Sequence, residues 1–258
     1  MIIIASFCDD NNLRYFLAYG TLIGAVRHKG FIPWDDDIDI HMPKPDYNKF
    51  IELYNRNKKI KYYSAVIPSE ARAKHSYVKV IDERTVKIEQ GVKYKNNFLG
   101  IDIDIFPLDG QSDNMDEFCI QYNKVQKLYK RYRRHFIDIN YYNKNKNIVS
   151  KTILKIKSKI LTTFDSKKDI SLKWDSIYSE YKYDESKYVG SIASIYNTIE
   201  DRYLKKWFDD SVKIEFEGEF FTAPKGYDDV LKTIYGDYMK LPPVEQQITH
   251  HSNVNYWK

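Results

Sequence analysis

Cysteine is nearly missing from this chain of 258 residues: Cys8 and Cys119 stand alone, without paired spacing. So few thiols support neither a disulfide framework nor a structural zinc site, and a reducing cytoplasm is the natural compartment. Long apolar runs are missing too, none approaching the roughly 20 residues that cross a bilayer. The opening MIIIASF is too short and too uncharged to be a secretory leader. The expectation is a soluble cytoplasmic protein, or one held peripherally at the inner face of the cell membrane. Charge imbalance is slight, with 41 basic against 36 acidic side chains, a net +5. That excess suits a phosphorylated ligand or an anionic membrane surface and does not imply nucleic acid. There is no internal repeat and no long flexible linker.

What is present is a chain that is 43% apolar, enough for a sizeable core. A helix end and the short extended LRYFLAY open it. Tyr19-Gly20-Thr21 turns into a helix, LIGAVRHKG, expected to stop at Gly30. Asp37 to His41 reads as a strand, and Asp46 as the N-cap of YNKFIELYNRN. Segments 60–67, 75–81 and 84–89 alternate as strands, the last two joined at Asp82-Glu83, and 98–106 is a strand closed by Pro107. Helical patterns cover 116–142, 147–164 and 169–182. A hairpin turning at Glu217-Gly218 and a helix ending at Gly236 follow. The expected class is α+β, with a mixed α/β core over 1–112 and a mostly helical part over 113–258, whose hairpin and last helix pack back on the core.

The chemistry concentrates in WDDDIDI and IDIDI. On a strand, residues two apart share a face, so Asp37 and Asp39 stand together opposite Ile38 and Ile40, as do Asp102 and Asp104 opposite their isoleucines. Two such strands side by side bring several negative charges together, which is costly unless a cation lies between them. An all-oxygen set favours Mg²⁺ or Mn²⁺ over zinc. The residues themselves do not separate Asp102 from Asp104, and Asp35 and Asp36 read equally well as solvated turn residues. Ahead of them, Gly20-Thr21 opens a helix whose free N–H groups suit phosphate, with Thr21 either a hydroxyl donor or a helix cap.

A glycine turn followed about sixteen residues later by Asp-x-Asp on a strand, with an acid on a later strand, resembles the nucleotidyltransferase-fold signature. Within it, YGTLIGAVRHKGFIPWDDDIDIHMP, IDIFPLDG and YGDYMKLPP look like the LicD family of phosphocholine transferases, related to fukutin. The match is dense over 16–50 and thin over 113–210. The resemblance implies a nucleotidyltransferase-like mixed sheet flanked by helices. It implies Asp37, Asp39 and Asp104 as catalytic metal ligands for Mg²⁺ (Mn²⁺ the substitute), with Asp102 in reserve, and Gly20, Thr21 and Arg27 against the donor phosphates. Arg27 serves equally well as a salt bridge to a nearby aspartate.

The implied reaction moves phosphocholine or a related phospho-alditol from CDP-choline or another CDP-linked donor. The acceptor is a hydroxyl of a cell-surface glycan, lipopolysaccharide or teichoic acid, or a lipid-linked precursor. One metal would activate the acceptor and a second the CMP leaving group, with Asp104 taking the proton. The competing reading is transfer of NMP from an NTP to a small acceptor; a third is a binding protein that kept the fold. Trp34, Tyr19 and Tyr47 lie near the acids, but no choline cage is assigned from them. His250 and His251 read as a solvated tail pair or as contacts to the site. In 147–164, apolar residues gather on one broad helical face with lysines opposite, expected to pack on the domain or, in the alternative, to rest on anionic lipid.

Overall fold

Ile40, Ile105 and Leu108 are fully buried, and they lie on the two strands around which the molecule is built. The computed structural model describes residues 1–56, 60, 62–70, 72–93, 99–192, 199–249 and 253–258. Expectations placed on Asn57, Lys61, Phe98, His250 and His251 fall outside these.

In chain order the elements are α1 (Ile2–Asp10), β1 (Phe16–Leu17), α2 (Tyr19–His28), β2 (Asp39–Pro43), α3 (Lys44–Arg56), β3 (Tyr63–Val66), β4 (Val78–Asp82), β5 (Thr85–Glu89) and β6 (Asp102–Gln111). Then come α4 (Met115–Arg133), α5 (Ile139–Tyr142), α6 (Ile148–Phe164), α7 (Lys167–Tyr178), β7 (Tyr188–Gly190), β8 (Tyr203–Leu204), β9 (Ser211–Phe216), β10 (Glu219–Pro224), α8 (Tyr227–Tyr235) and β11 (Asn253–Trp257). The main sheet runs β1-β2-β6-β4-β3, with β7 on the far half of β6 and β8 on β7. Within it β2 and β6 are parallel and the other pairings antiparallel. The class is α+β, as expected. No helix among the described residues is long and apolar enough to cross a membrane.

Several local readings need correction. Gly20 lies inside the first turn of α2, because Tyr19 makes the turn, at a φ of 43° that costs a non-glycine residue energy. The helix ends on Lys29 in the left-handed region, φ 57°, before Gly30 is reached. Asp46 does not cap α3; it sits in the first turn and accepts from Arg14 Nε at 2.7 Å. The strand predicted to close at Pro107 continues to Gln111. In a parallel pair alternate residues aim both backbone groups at the same neighbour. Asp104 donates to Ile38, just ahead of β2 and on its side, so the missing N–H of Pro107 falls on the other side. There β4 pairs only as far as Ile105 and β7 begins at Asp109, so no hydrogen bond is lost.

Although β4 and β5 are consecutive, β5 leaves the sheet to pair with β11. The single helix expected over 116–142 is two, α4 and α5. The hairpin turns where predicted, with Glu217 at φ 53° and Gly218 at φ 77°, both left-handed as a tight two-residue turn requires.

The core on the Ile40 face gathers α1, α2, α3 and α8 with Tyr183, Val189, Tyr203 and Phe208, so chain from beyond residue 112 shares the same sheet and core. A second cluster joins α4 and α7 to Phe106 and Tyr77. Helix α6 has no fully buried residue: Leu154 and Leu161 are half-buried while Val149, Ile153, Ile156, Ile160 and Phe164 are exposed, so the expectation that the whole apolar face packs on the domain is corrected for all but those two leucines.

Candidate active site

Asp39 and Asp104 are register partners on β2 and β6, and Lys79 on β4 is the partner of Asp104 on the other side. Register partners point to one face of a sheet, so Asp39, Asp104 and Lys79 form a row across three strands. The backbone holds the row tightly: the Asp104 amide donates to the Ile38 carbonyl at 2.9 Å, and the Asp39 amide to Thr21 Oγ1 at 2.8 Å. Thr21 therefore ties the first turn of α2 to the start of β2, and its side chain caps no helix.

This face is covered, contrary to the simple alternation of buried isoleucine and exposed aspartate. Every residue of β2 is buried. Burial pushes the Asp39 carboxyl well above the usual range, Asp37 and Asp104 push it further, and Lys79 offsets part of this. Asp37, half-buried in the link before β2, and Asp35 both add their charge to that repulsion. Among the described residues Asp39 has no ion-pair partner. Burial also raises Asp104, but Lys79 approaches it at 2.6 Å and the Tyr77 hydroxyl donates to it at 3.0 Å.

Asp102, which the residues alone could not tell from Asp104, is separated from it here. Burial alone would raise its carboxyl; Lys79 and Lys87, each at 2.5 Å, outweigh that and hold it below the usual range. Asp102 is neutralised by two lysines, while Asp104 shares one of them and faces Asp39. Among the described residues no three acids, histidines or cysteines converge at metal-holding geometry, with Asp104 engaged by Lys79 and Tyr77. The donor chemistry nevertheless fits a hard divalent cation: Asp39 is a buried carboxylate crowded by three others.

The remaining candidates are placed less simply. A Cβ on Gly20 would lie 2.3 Å from Asp35 Oδ2, so the Asp35 carboxylate covers the first turn of α2, and a phosphate binding there would have to displace it. Arg27 forms no salt bridge to an aspartate among the described residues: Nη1 donates to the Tyr238 carbonyl and Nε to His28 Nε2, both at 2.8 Å. It thereby docks the YGDYMKLPP segment on α2. Trp34 packs half-buried against the main core, Tyr47 is spent on the Val78 amide at 3.0 Å, and Tyr19 is boxed between His41 and Phe106.

Two residues of the site escaped sequence reading. Lys79 sits in the apolar run YVKVI; a lone lysine there is a signal for a buried acidic partner, and it was available. Asp201, 3% exposed, accepts from the Tyr203 hydroxyl at 2.7 Å and also bonds the Tyr19 hydroxyl, whose charge environment includes Asp39. Nothing in IEDRY distinguishes it from a turn carboxylate.

Substituting Gly20→Ala is expected to push the Asp35 carboxylate off the first turn of α2 and to change stability by no more than about 1 kcal/mol, because the end of that side chain can swing aside and alanine favours the helix over glycine. In a chain that also carries Asp35→Ala the same substitution should stabilise by more, read by urea unfolding; strictly additive effects would refute the contact.

Residues 12–138 match the family model described as LicD/FKTN/FKRP, nucleotidyltransferase domain. The chain is 32% identical over 256 residues to the lipopolysaccharide cholinephosphotransferase LicD of Haemophilus influenzae, covering 97% of this chain and 91% of that protein. It is also 38% identical over 100 residues to an uncharacterized protein of Rickettsia typhi, covering 38% of this chain and 29% of that one.

Proposed function

The chain belongs to the LicD/FKTN/FKRP family of nucleotidyltransferase domains, and on that footing we propose that it transfers phosphocholine, or a related phospho-alditol, from a CDP-linked donor to a glycan hydroxyl. The acceptor we assign is lipopolysaccharide, another cell-surface glycan or a lipid-linked precursor, met at the inner face of the cell membrane. The observation that carries the reading is Asp39 beside Asp104, two buried carboxylates in register on parallel strands.

The acceptor oxygen forms a bond to the choline-bearing phosphorus, the bridging P–O bond to CMP breaks, and CMP leaves with that electron pair. Asp37, Asp39 and Asp104 are the residues that would hold Mg²⁺, or Mn²⁺ in its place, which when bound supplies the positive charge that the donor's phosphates and departing CMP need. The acceptor's proton passes to a carboxylate. Asp39 suits this better than Asp104, because Lys79 pairs directly with Asp104 at 2.6 Å and offsets only part of the charge crowding at Asp39. Lys79 and Tyr77 fix the Asp104 side chain, and Thr21 fixes the start of β2.

The rival chemistry, transfer of NMP from an NTP, uses the same kind of site and differs in its product. Incubation with CDP-choline and a glycan acceptor in the presence of Mg²⁺ is expected to release CMP; release of pyrophosphate from an NTP in its place would replace this reading. A thermal-shift panel of CDP-choline, CDP-ribitol, CDP-glycerol and nucleoside triphosphates, with and without Mg²⁺, selects the donor, since a ligand of the native state raises its stability.

A further inference from the structure

Helix α6 divides the apolar face that its sequence draws as one. Leu154 and Leu161, with Ser150 and Ser158, are half-buried and face the protein. Val149, Ile153, Ile156, Ile160 and Phe164 form a separate stripe at i, i+4, i+7, i+11 and i+15 on the outer side, between 54% and 82% exposed. An exposed row of five large apolar side chains is far more than the scattered hydrophobics of an ordinary surface. The helix is nonetheless well built and held. Asn147 caps it by accepting from the Ser150 amide at 2.8 Å, it leans on α5, and Asp165 at its end pairs with Arg131 of α4.

The charges around the stripe identify its occupant. Lys157 projects along one border of the stripe and Lys159 along the other, with Lys155 farther round on the Lys159 side, by helical geometry at 100° per residue. Residues 139–164 carry six lysines and no acidic residue, against a net charge of only +5 for the whole chain. Lysines on both borders of an apolar strip place their ammonium groups at headgroup level while the strip enters the acyl boundary. We propose that the outer face of α6 is a docking surface for an anionic lipid bilayer, on which the helix lies flat.

A protein groove could accept the apolar stripe, but it would gain nothing from cations on both borders unless it were itself ringed with acids; an anionic bilayer meets both borders at once. The contact holds whatever group the site transfers, and it would bring the protein to the surface where a lipid-linked glycan is anchored.

The test is sedimentation of the full chain with vesicles of phosphatidylcholine alone and of phosphatidylcholine mixed with phosphatidylglycerol, at low and high salt. Wild type is expected to bind the anionic vesicles, less at high salt, and the Ile153→Glu, Ile160→Glu double variant to bind at least about tenfold more weakly. Both positions are exposed, so the variant should keep the wild-type melting temperature and its CMP release with a water-soluble acceptor. No binding to anionic vesicles at low salt, or binding unchanged in the double variant, overturns the proposal. So does a wild-type dimer that the double variant converts to a monomer without any vesicle binding, which would make a second copy the occupant. Loss of CMP release with vesicle binding intact would instead count against the transferase reading and leave the helix assignment standing.

Discussion

Asp39→Asn is expected to cut transfer by at least about 10²–10³-fold, the scale of losing one preorganised electrostatic contact at a reacting phosphate, while making the metal-free protein harder to unfold. The two effects have one origin. Asp39 is buried, crowded by Asp37, Asp104 and Asp35, and has no ion-pair partner among the described residues. Its folded-state carboxyl titrates well above the unfolded one. Such a group favours the folded state below the unfolded-state value, about 4, and that contribution is lost as pH rises through the folded value. The neutral amide removes the loss, so the variant's advantage should be absent below about pH 4 and present at neutral pH. For a chain of this size each kcal/mol gained appears as about 2–4 °C in melting temperature. Added Mg²⁺ should stabilise wild type and do little for the variant. Near wild-type turnover in Asp39→Asn would remove Asp39 from the chemistry; a lower melting temperature at neutral pH would show the carboxylate to be compensated in the fold.

Lys79→Met carries the largest expected loss of stability. The Lys79 side chain is 5% exposed, and its ammonium lies 2.5 Å from Asp102 and 2.6 Å from Asp104. Methionine fills similar volume but, among the described residues, leaves Asp104 facing Asp39 with the Tyr77 hydroxyl as its direct partner, and Asp102 with Lys87. Breaking a buried ion pair from one side typically costs about 3–5 kcal/mol, a large part of the roughly 5–15 kcal/mol that holds a domain together. Adding Asp104→Asn to Lys79→Met should restore part of it, as a double-mutant cycle in urea. The pH dependence runs opposite to that of Asp39. The folded-state carboxyl of Asp102 is depressed, so its pairing stabilises above the unfolded-state value and fades as pH falls through the folded one. The deficit of Lys79→Met should therefore shrink in acid. A variant within about 0.5 kcal/mol of wild type at neutral pH would mean that the three strands do not need the lysine.

How much of this was legible beforehand depends on the range of the forces involved. The tight turn at Glu217-Gly218, the stop at Gly236 and the helices α4, α6 and α7 follow from neighbours a few residues apart. Errors arose where a distant segment intervened. Proline closes a strand that has partners on both sides of it, yet Pro107 falls between β4 and β7, a gap created by chain some eighty residues away. Asp46 has the chemistry of a cap, but Arg14 claims it. Arg27 looked toward aspartate and found the carbonyl of Tyr238, 211 positions along the chain.

By its residues alone this chain determined an α+β class, two acidic strands, a glycine-bearing helix start ahead of them and a lysine-rich amphipathic helix. These follow from periodicity and local turn chemistry, which need no knowledge of what lies across the molecule. Tertiary structure alone decided that Asp39 meets Asp104 while Asp102 is held by Lys79 and Lys87, and that Asp201 joins from the far side of the helical segment. It also decided that the outer stripe of α6 faces away from the core. Electrostatic partnership and burial are properties of distance in space, and the order of residues along a strand cannot say which neighbouring strand will carry the opposite charge.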